Sequence, residues 1–433
     1  MGDEVGAGHT DERRTTSAAT AVDNGTFRSL AVPAYRVLFT SSVGIFLAVM
    51  SQAIARGWVA YDLTGTNTGL GGVMLGFGVA MLLATPWGGV VADRADKRLV
   101  LALCIFGLLA TSAWIGVAIV TDWIAYWMLV AASALQAVAF AVYGPTRMAL
   151  TAELVEPRLL TNAITLAQVS TEGARVIGPA AAGVLIGVSW FGPGGVFLAG
   201  AVLCGVSILM TLRLPKPQRR VRGPRSPLQE LAEAVAYLRA DPKLSLLAVT
   251  SLFVVVAGMP YLTFLPVLAD GVHDAGASGY GVMSAVSAAG AVTAGLLAAR
   301  ASDASAWLRI GAAGAAFGLG LVATGLAPTF WAALVPLVVV GGAALMFQTS
   351  SQSTLISLSE PRFHGRVQAT VMLGYSGFGL AALPLGVLAD VIGLRSTLAA
   401  MGAVVLVTTV GFTLRHRTVN GSRRTALTKE TST

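Results

Sequence analysis

The sequence predicts an all-α integral membrane protein of twelve transmembrane helices in two pseudo-symmetric six-helix bundles. Three observations predict it. Of 433 residues, 55% are hydrophobic and 12% charged, against about 25% charged in an ordinary soluble domain, so the chain cannot cover a water-facing surface of its size. Apolar runs of roughly 20 residues, the length that crosses a bilayer, recur twelve times along it. A short motif also repeats just before the fifth span of each half of the set.

In chain order, residues 1–34 mix Asp3, Glu4, Asp11, Glu12, Arg13 and Arg14 with Thr and Ala and show no periodicity. They read as a disordered cytoplasmic tail and not as a signal peptide, because no apolar core precedes a small-residue cleavage site. Six spans follow, at 37–61, 68–92, 99–121, 124–144, 161–188 and 194–214, making a first bundle over 35–214. Residues 215–242 form a linker that opens basic and proline-containing. In it Ser226 is placed to cap a helix with Pro227 at its first position, and Leu228, Leu231, Val235 and Leu238 fall on one face. That pattern predicts an amphipathic surface helix; the plainer alternative is a solvated linker. The second bundle, 243–415, holds spans at 243–269, 279–299, 308–326, 329–348, 365–389 and 396–414, and 416–433 reads as a second structureless tail.

The net charge of +8 and the mean hydropathy of +0.74 belong together. One set of inter-span loops holds Arg94, Lys97, Arg98, Arg147, Arg158, Arg213, Lys216, Arg219, Arg220, Arg222, Arg225, Arg239, Lys243, Arg300, Arg309, Arg362 and Arg366, while the alternate loops hold only Arg395. Basic residues between spans orient a membrane protein and do not imply nucleic acid. The expected placement is the cell inner membrane with both termini cytoplasmic, lipid as the solvent, and a monomer. Cys104 and Cys204 lie inside apolar runs and read as packing residues.

The repeat is Glu156-Pro157-Arg158 before the fifth span and Glu360-Pro361-Arg362 before the eleventh, an offset of 360 − 156 = 204 residues. Pro179 and Pro384 follow at nearly the same offset in Gly/Ala-rich surroundings. Two duplicated six-helix halves that rock around a mid-membrane site are a common transporter architecture.

Between the second and third spans runs Gly88-Gly89-Val90-Val91-Ala92-Asp93-Arg94-Ala95-Asp96-Lys97-Arg98. Gly89 permits close helix approach, and Asp93 at a helix end can pair with backbone or basic groups of a neighbouring helix, a latch that opens on rotation. Taken alone it is a charged turn. In detail it resembles the G-x-L-A-D-R-x-G-R-R signature of the major facilitator superfamily: Gly89, Ala92, Asp93, Arg94, Lys97 and Arg98 match in type, and Asp96 replaces a glycine. Ala55-Arg56-Gly57-Trp58, Tyr61 through Gly65, Glu153-Leu154-Val155, Asn162-Ala163-Ile164, Gly365-Arg366-Val367 and Gly386 through Asp390 look like the twelve-span exporters grouped with the enterobactin exporter and macrolide-efflux proteins. Gly178-Pro179-Ala180-Ala181-Ala182-Gly183 resembles that superfamily's antiporter motif, with Ala182 where a glycine is expected. The resemblance implies export coupled to proton entry. The motif's arginine on the fourth span is missing; the span offers Gln136 there.

Ionisable residues inside a bilayer are expensive and mark function. Arg56, Asp62, Glu172 and Arg175 are the candidates. Glu172 and Arg175, three apart, share a helix face; the expectation is that Glu172 titrates and Arg175 tunes it, and the plainer reading is a permanent internal salt bridge. Arg56 and Asp62, six apart, do not share a face, and Asp62 is expected at the headgroup boundary. Trp58, Phe77 and Phe347 are among the aromatic residues that could line a cavity.

None of Lys97, Lys216, Lys243 or Lys429 follows a glycine, so there is no Gly-Lys phosphate loop and no nucleotide cofactor is expected. His9, His273, His364 and His416 fall in loops or tails, which predicts no metal site. Gly276-Ala277-Ser278-Gly279 and Gly374-Tyr375-Ser376-Gly377 are similar to the G-x-S-G of intramembrane serine proteases, but that chemistry needs a histidine beside the serine, and none is embedded in a span. The expectation is therefore a transporter and not an enzyme, exporting a small amphipathic molecule such as a drug, siderophore or metabolite. Import of a polar nutrient is the alternative.

Overall fold

The structure, a computed structural model, describes residues 27–188, 190–215, 227–298, 306–360 and 364–430. Within them the side chains of 89–90, 92–94, 161, 227–228, 230–231, 234, 296–298, 364–373, 375 and 417–430 are left aside. Every regular element described is helical. The first half comprises α1 (Pro33–Thr64), α2 (Asn67–Arg94), α3 (Lys97–Val120), α4 (Tyr126–Leu154), α5 (Pro157–Ile186) and α6 (Gly192–Thr211). A linker helix α7 (Pro227–Ala240) follows. The second half comprises α8 (Pro242–Val272), α9 (Gly276–Ala298), α10 (Ala306–Leu326), α11 (Phe330–Leu358), α12 (His364–Ile392) and α13 (Leu394–Glu430).

Among the described residues, nine of these helices are long and apolar enough to cross a membrane. The three beyond them, α5, α9 and α12, are 30, 23 and 29 residues long. All three sit at the contact between halves. That makes twelve.

Turn chemistry sets the helix ends. Thr66, Asp96, Asp241 and Thr329 cap α2, α3, α8 and α11 through side-chain oxygens that accept first-turn N–H groups. Pro33, Pro157 and Pro242 stand at first positions, where a missing N–H costs nothing. Gly65 ends α1 at φ +63°, a left-handed cap.

The pairing of helices carries the duplication. In the first half the main pairs are α2 with α4, α3 with α6, α1 with α6, α1 with α5 and α3 with α4. Six spans on, the second half pairs α9 with α11, α10 with α13, α8 with α13, α8 with α12 and α10 with α11. The two halves meet through α2 with α12 and α5 with α9, each joining the second helix of one half to the fifth of the other. Pro157 opens α5 just after Glu156, and Glu360 stands just before α12, whose Pro384 corresponds to Pro179 of α5.

Some boundaries differ from the expectation. Helix α4 runs to Leu154 and α11 to Leu358, about ten residues past the apolar runs. Polar side chains ended those runs in the sequence, yet several of them bond within the helix here. Thr146, Thr151 and Thr349 bond carbonyls one turn back. Arg147, expected in a loop, is buried within α4 with its guanidinium 5.0 Å from the Phe46 ring centroid. Helix α13 continues to Glu430 through a segment expected to be structureless; without a proline stop, an established helix propagates at one bond per residue. Residues Arg28–Ala31 form a 3-10 turn docked by the Ser29 N–H on Asn162 Oδ1, so order begins earlier than expected. Helix α7 is present, with Leu238 buried and the Tyr237 hydroxyl accepting the Glu360 N–H; Ser226 lies outside the described residues.

Contacts between the halves cluster toward one end. Even-numbered first-half helices end at the face that carries the basic loops, called the basic face below. Toward the opposite face, Gly183 of α5 lies against the Gly281 backbone of α9, and at mid-helix Gly78 of α2 lies against Gly379 of α12. Trp58 of α1 stacks on Tyr280 of α9, ring centroids 5.9 Å apart, and the Tyr280 hydroxyl donates to the Ile54 carbonyl. One apolar core there joins Ala182 and Ile186 to Leu265 and Met283.

Candidate functional site

Helix α5 carries Glu172 fifteen residues and Arg175 eighteen residues past its first residue, about 22 and 27 Å along a helix that rises 1.5 Å per residue. Their side chains come together as expected: Arg175 Nε lies 3.5 Å from Glu172 Oε2, and the two are 31% and 29% exposed. Exposure of nearly a third for charged groups at mid-helix means they border a space between the halves, since charges do not face hydrocarbon. Pro179, four residues on, removes the N–H that would bond the Arg175 carbonyl. Gly178 seats α5 on α1, and the Ser51 hydroxyl donates to the Gly178 carbonyl at 3.1 Å. The antiporter-like segment Gly178, Pro179 and Gly183 thus brings α5 close to α1 on one side and α9 on the other.

Arg175 also reaches the other half. Its Nη1 donates to Gln348 Oε1 on α11 at 3.1 Å. Gln348 lines a small cavity of about 30 Å³ together with Ser251 and Val255 of α8 and Phe347, Ser351, Gln352 and Leu355 of α11. Among the described residues, the hydroxyls of Ser251 and Ser351 are buried without a hydrogen-bond partner. Unmet hydroxyls at a cavity wall suit a polar ligand, since a buried polar group without a partner is costly. A line therefore runs from Glu172 through Arg175 and Gln348 to hydroxyls of the second half. Gln348, Ser251 and Ser351 were not singled out from the sequence; the polar run Gln348–Thr354 inside an otherwise apolar helix was the available signal.

Arg56 is 3% exposed, turned into the first half between α1 and α4. It donates from Nη1 to Ser133 Oγ at 2.8 Å and from Nη2 to Gln136 Oε1 at 2.6 Å. The guanidinium missing from the fourth span is therefore delivered to it by the first. Ser133 and Gln136, three apart on one face, make the receptor. Asp62 is exposed near the end of α1 and is not brought to Arg56.

Of the loop motif, Lys97 is buried and pairs with Glu153 of α4 at 2.9 Å, and Arg98 donates to the Leu214 carbonyl at 2.8 Å. Both contacts brace the basic face within the first half. The side chains at Gly89, Asp93 and Arg94, with the latch expected of Asp93, lie outside the described residues. Ser278 spends its hydroxyl on the Ala275 carbonyl. Of the aromatic candidates, Phe347 lines the cavity and Trp58 is engaged with Tyr280.

The family model described as Major Facilitator Superfamily matches residues 38–382. A curated relative, the Staphyloferrin A transporter of Staphylococcus aureus (strain NCTC 8325 / PS 47), is 26% identical over 263 residues, covering 60% of this chain and 66% of the relative, just under two thirds of its length. Among solved structures, a bacterial homologue of the human lysosomal transporter Spinster, inward-facing and occupied, superposes with TM-score 0.69 at 16% identity, covering 91% of this chain and 98% of that one. The nucleoside transporter NupG gives TM-score 0.65 at 14% identity over 88% and 98%. A POT family transporter in complex with 5-aminolevulinic acid gives 0.67 at 11% over 87% and 94%. At these identities the structures report the fold.

Proposed function

The chain belongs to the major facilitator superfamily, and from that premise we propose that it is a proton-coupled exporter of a small amphipathic molecule of siderophore or drug type. It acts as a monomer in the cell inner membrane, with both termini in the cytoplasm. The observation that carries the reading is the Glu172–Arg175 pair, held at mid-helix beside the space between the halves and joined to Gln348 across it. A carboxylate there can take a proton, release Arg175 from its ion pair, and so couple protonation to the contact between halves. Closure at the face opposite the basic loops corresponds to a state open to the cytoplasm, ready to load. Support for a siderophore comes from the Staphyloferrin A transporter likeness, and for export from the exporter-like segments around Arg56 and Asp390 and the antiporter-like segment 178–183.

Inverted membrane vesicles with an acidified lumen test it. Accumulation of Staphyloferrin A or of an efflux dye, abolished by an uncoupler, supports export. Accumulation in right-side-out vesicles instead supports the importer alternative, and accumulation that ignores the uncoupler removes the proton.

A further inference from the structure

Asp390 lies two residues before the last residue of α12, in the second half. Its Oδ1 accepts the Asn67 backbone N–H and the Asn67 amide, each at 2.9 Å. Its Oδ2 accepts the Thr68 N–H at 2.9 Å and the Thr68 hydroxyl. Asn67 and Thr68 are the first two residues of α2, in the first half. Thr66, the local cap, accepts only the Gly69 N–H. The opening turn of a membrane helix in one half is therefore capped, at two of its three capped N–H groups, by a carboxylate from the other. Such N–H groups have no partner within the helix, and the positive end of the helix dipole favours an anion at this spot. Charge-assisted bonds are the strong kind.

A second feature fits the contact independently. A Cβ at Gly386, one turn before Asp390, would strike the Asn67 carbonyl and the Thr68 backbone, so only glycine lets α12 come near enough for the carboxylate to reach. The pentapeptide Gly386-Val387-Leu388-Ala389-Asp390 also repeats Gly89-Val90-Val91-Ala92-Asp93 at the end of α2, which faces the other side.

We propose that Asp390 is the latch of the face opposite the basic loops: its capping of α2 holds the two halves together there, and that face opens only when the four bonds to Asn67 and Thr68 break. This rests on the alternating-access reading above and adds the residue that gates one of its two states. It makes Asp390 a positioning residue that acts through α2 without touching substrate.

The test uses the full chain with Cys104 and Cys204, both free thiols, replaced by Ser. Spin labels at Trp123 and Trp331, both exposed and near that face, report its opening by pulsed distance measurement and need no substrate. Asp390→Asn sets an NH2 against the Thr68 N–H, and the distribution should shift to longer distances. If that variant folds poorly, Asn67→Ala with Thr68→Ala removes the two side-chain donors without touching α12 and should give a smaller shift. A Thr68→Cys, Asp390→Cys pair, oxidised, should stop transport, and reductant should restore it. An unchanged distance distribution in the variants, or undiminished transport by the cross-linked pair, would overturn the latch. Loss of transport in the unmodified protein would count instead against the exporter reading, because the distance arm is blind to substrate.

Discussion

Arg175 of α5 donates to Gln348 of α11 at 3.1 Å, and the two residues belong to different halves of the molecule. A bond that spans the moving interface must be remade in every cycle, so its removal should slow turnover more than it unfolds the protein. Arg175→Ala and Gln348→Ala are each expected to lower the initial transport rate in proteoliposomes. The double variant should be little worse than the more damaging single one. The coupling between them should be on the order of 0.5–3 kcal/mol, the range for residues in direct contact. Strict additivity of the two effects would mean that the contact plays no part in the cycle.

Glu172 separates the coupled reading from a plain salt bridge. Glu172→Gln keeps size and hydrogen-bonding capacity but cannot exchange a proton. Downhill movement of substrate should survive, whereas accumulation against a gradient should fall to the level seen with an uncoupler. Flux down a gradient and uptake driven by an imposed pH difference can be measured on one preparation. Retained proton-driven accumulation in the variant would leave Glu172 as a structural partner of Arg175.

The spans themselves were legible because burial in lipid leaves a one-dimensional signal, a run of apolar residues of set length. That signal failed where helices continue inside protein. Arg147 and Glu153 ended the apparent fourth span, although one packs on Phe46 and the other pairs with Lys97. The Glu172–Arg175 pair could be foreseen since three residues along a helix fixes its geometry. Arg56 with Gln136, Arg175 with Gln348 and Asp390 with Thr68 could not, because each joins residues 80 to 322 positions apart and no local periodicity encodes such a meeting.

Lys97 and Glu153 join α3 to α4 at the basic face, with side chains 7% and 21% exposed. Truncating Lys97 to Ala leaves a carboxylate in a poorly hydrated position, and losing one partner of a buried pair costs about 3 kcal/mol. Lys97→Ala should therefore unfold at a lower temperature in detergent, and Lys97→Ala with Glu153→Ala should recover most of the loss. A double variant less stable than the single one would show that Lys97 acts through something other than Glu153.

The last prediction concerns how closely the halves approach. A Cβ at Gly281 would press on the backbone of Gly183, and one at Gly183 would lie 2.9 Å from the Gly281 Cα and carbonyl oxygen. Backbone on both sides cannot yield as a flexible side chain would, so one added methyl must force α5 and α9 apart. Overpacking of this kind costs about 1–3 kcal/mol, and here the cost falls on the closed state alone, because the contact exists only while that face is shut. Gly281→Ala should thus bias the protein toward opening at the face opposite the basic loops and reduce transport, with little change in the packing of either half. Gly107 of α3 supplies the control: nothing lies within 4 Å of a Cβ built there, and alanine favours a helix over glycine by roughly 0.5–1 kcal/mol. Gly107→Ala should be neutral or slightly stabilising with transport intact. Equal transport by the two variants would mean that the approach of Gly183 to Gly281 does not limit closure.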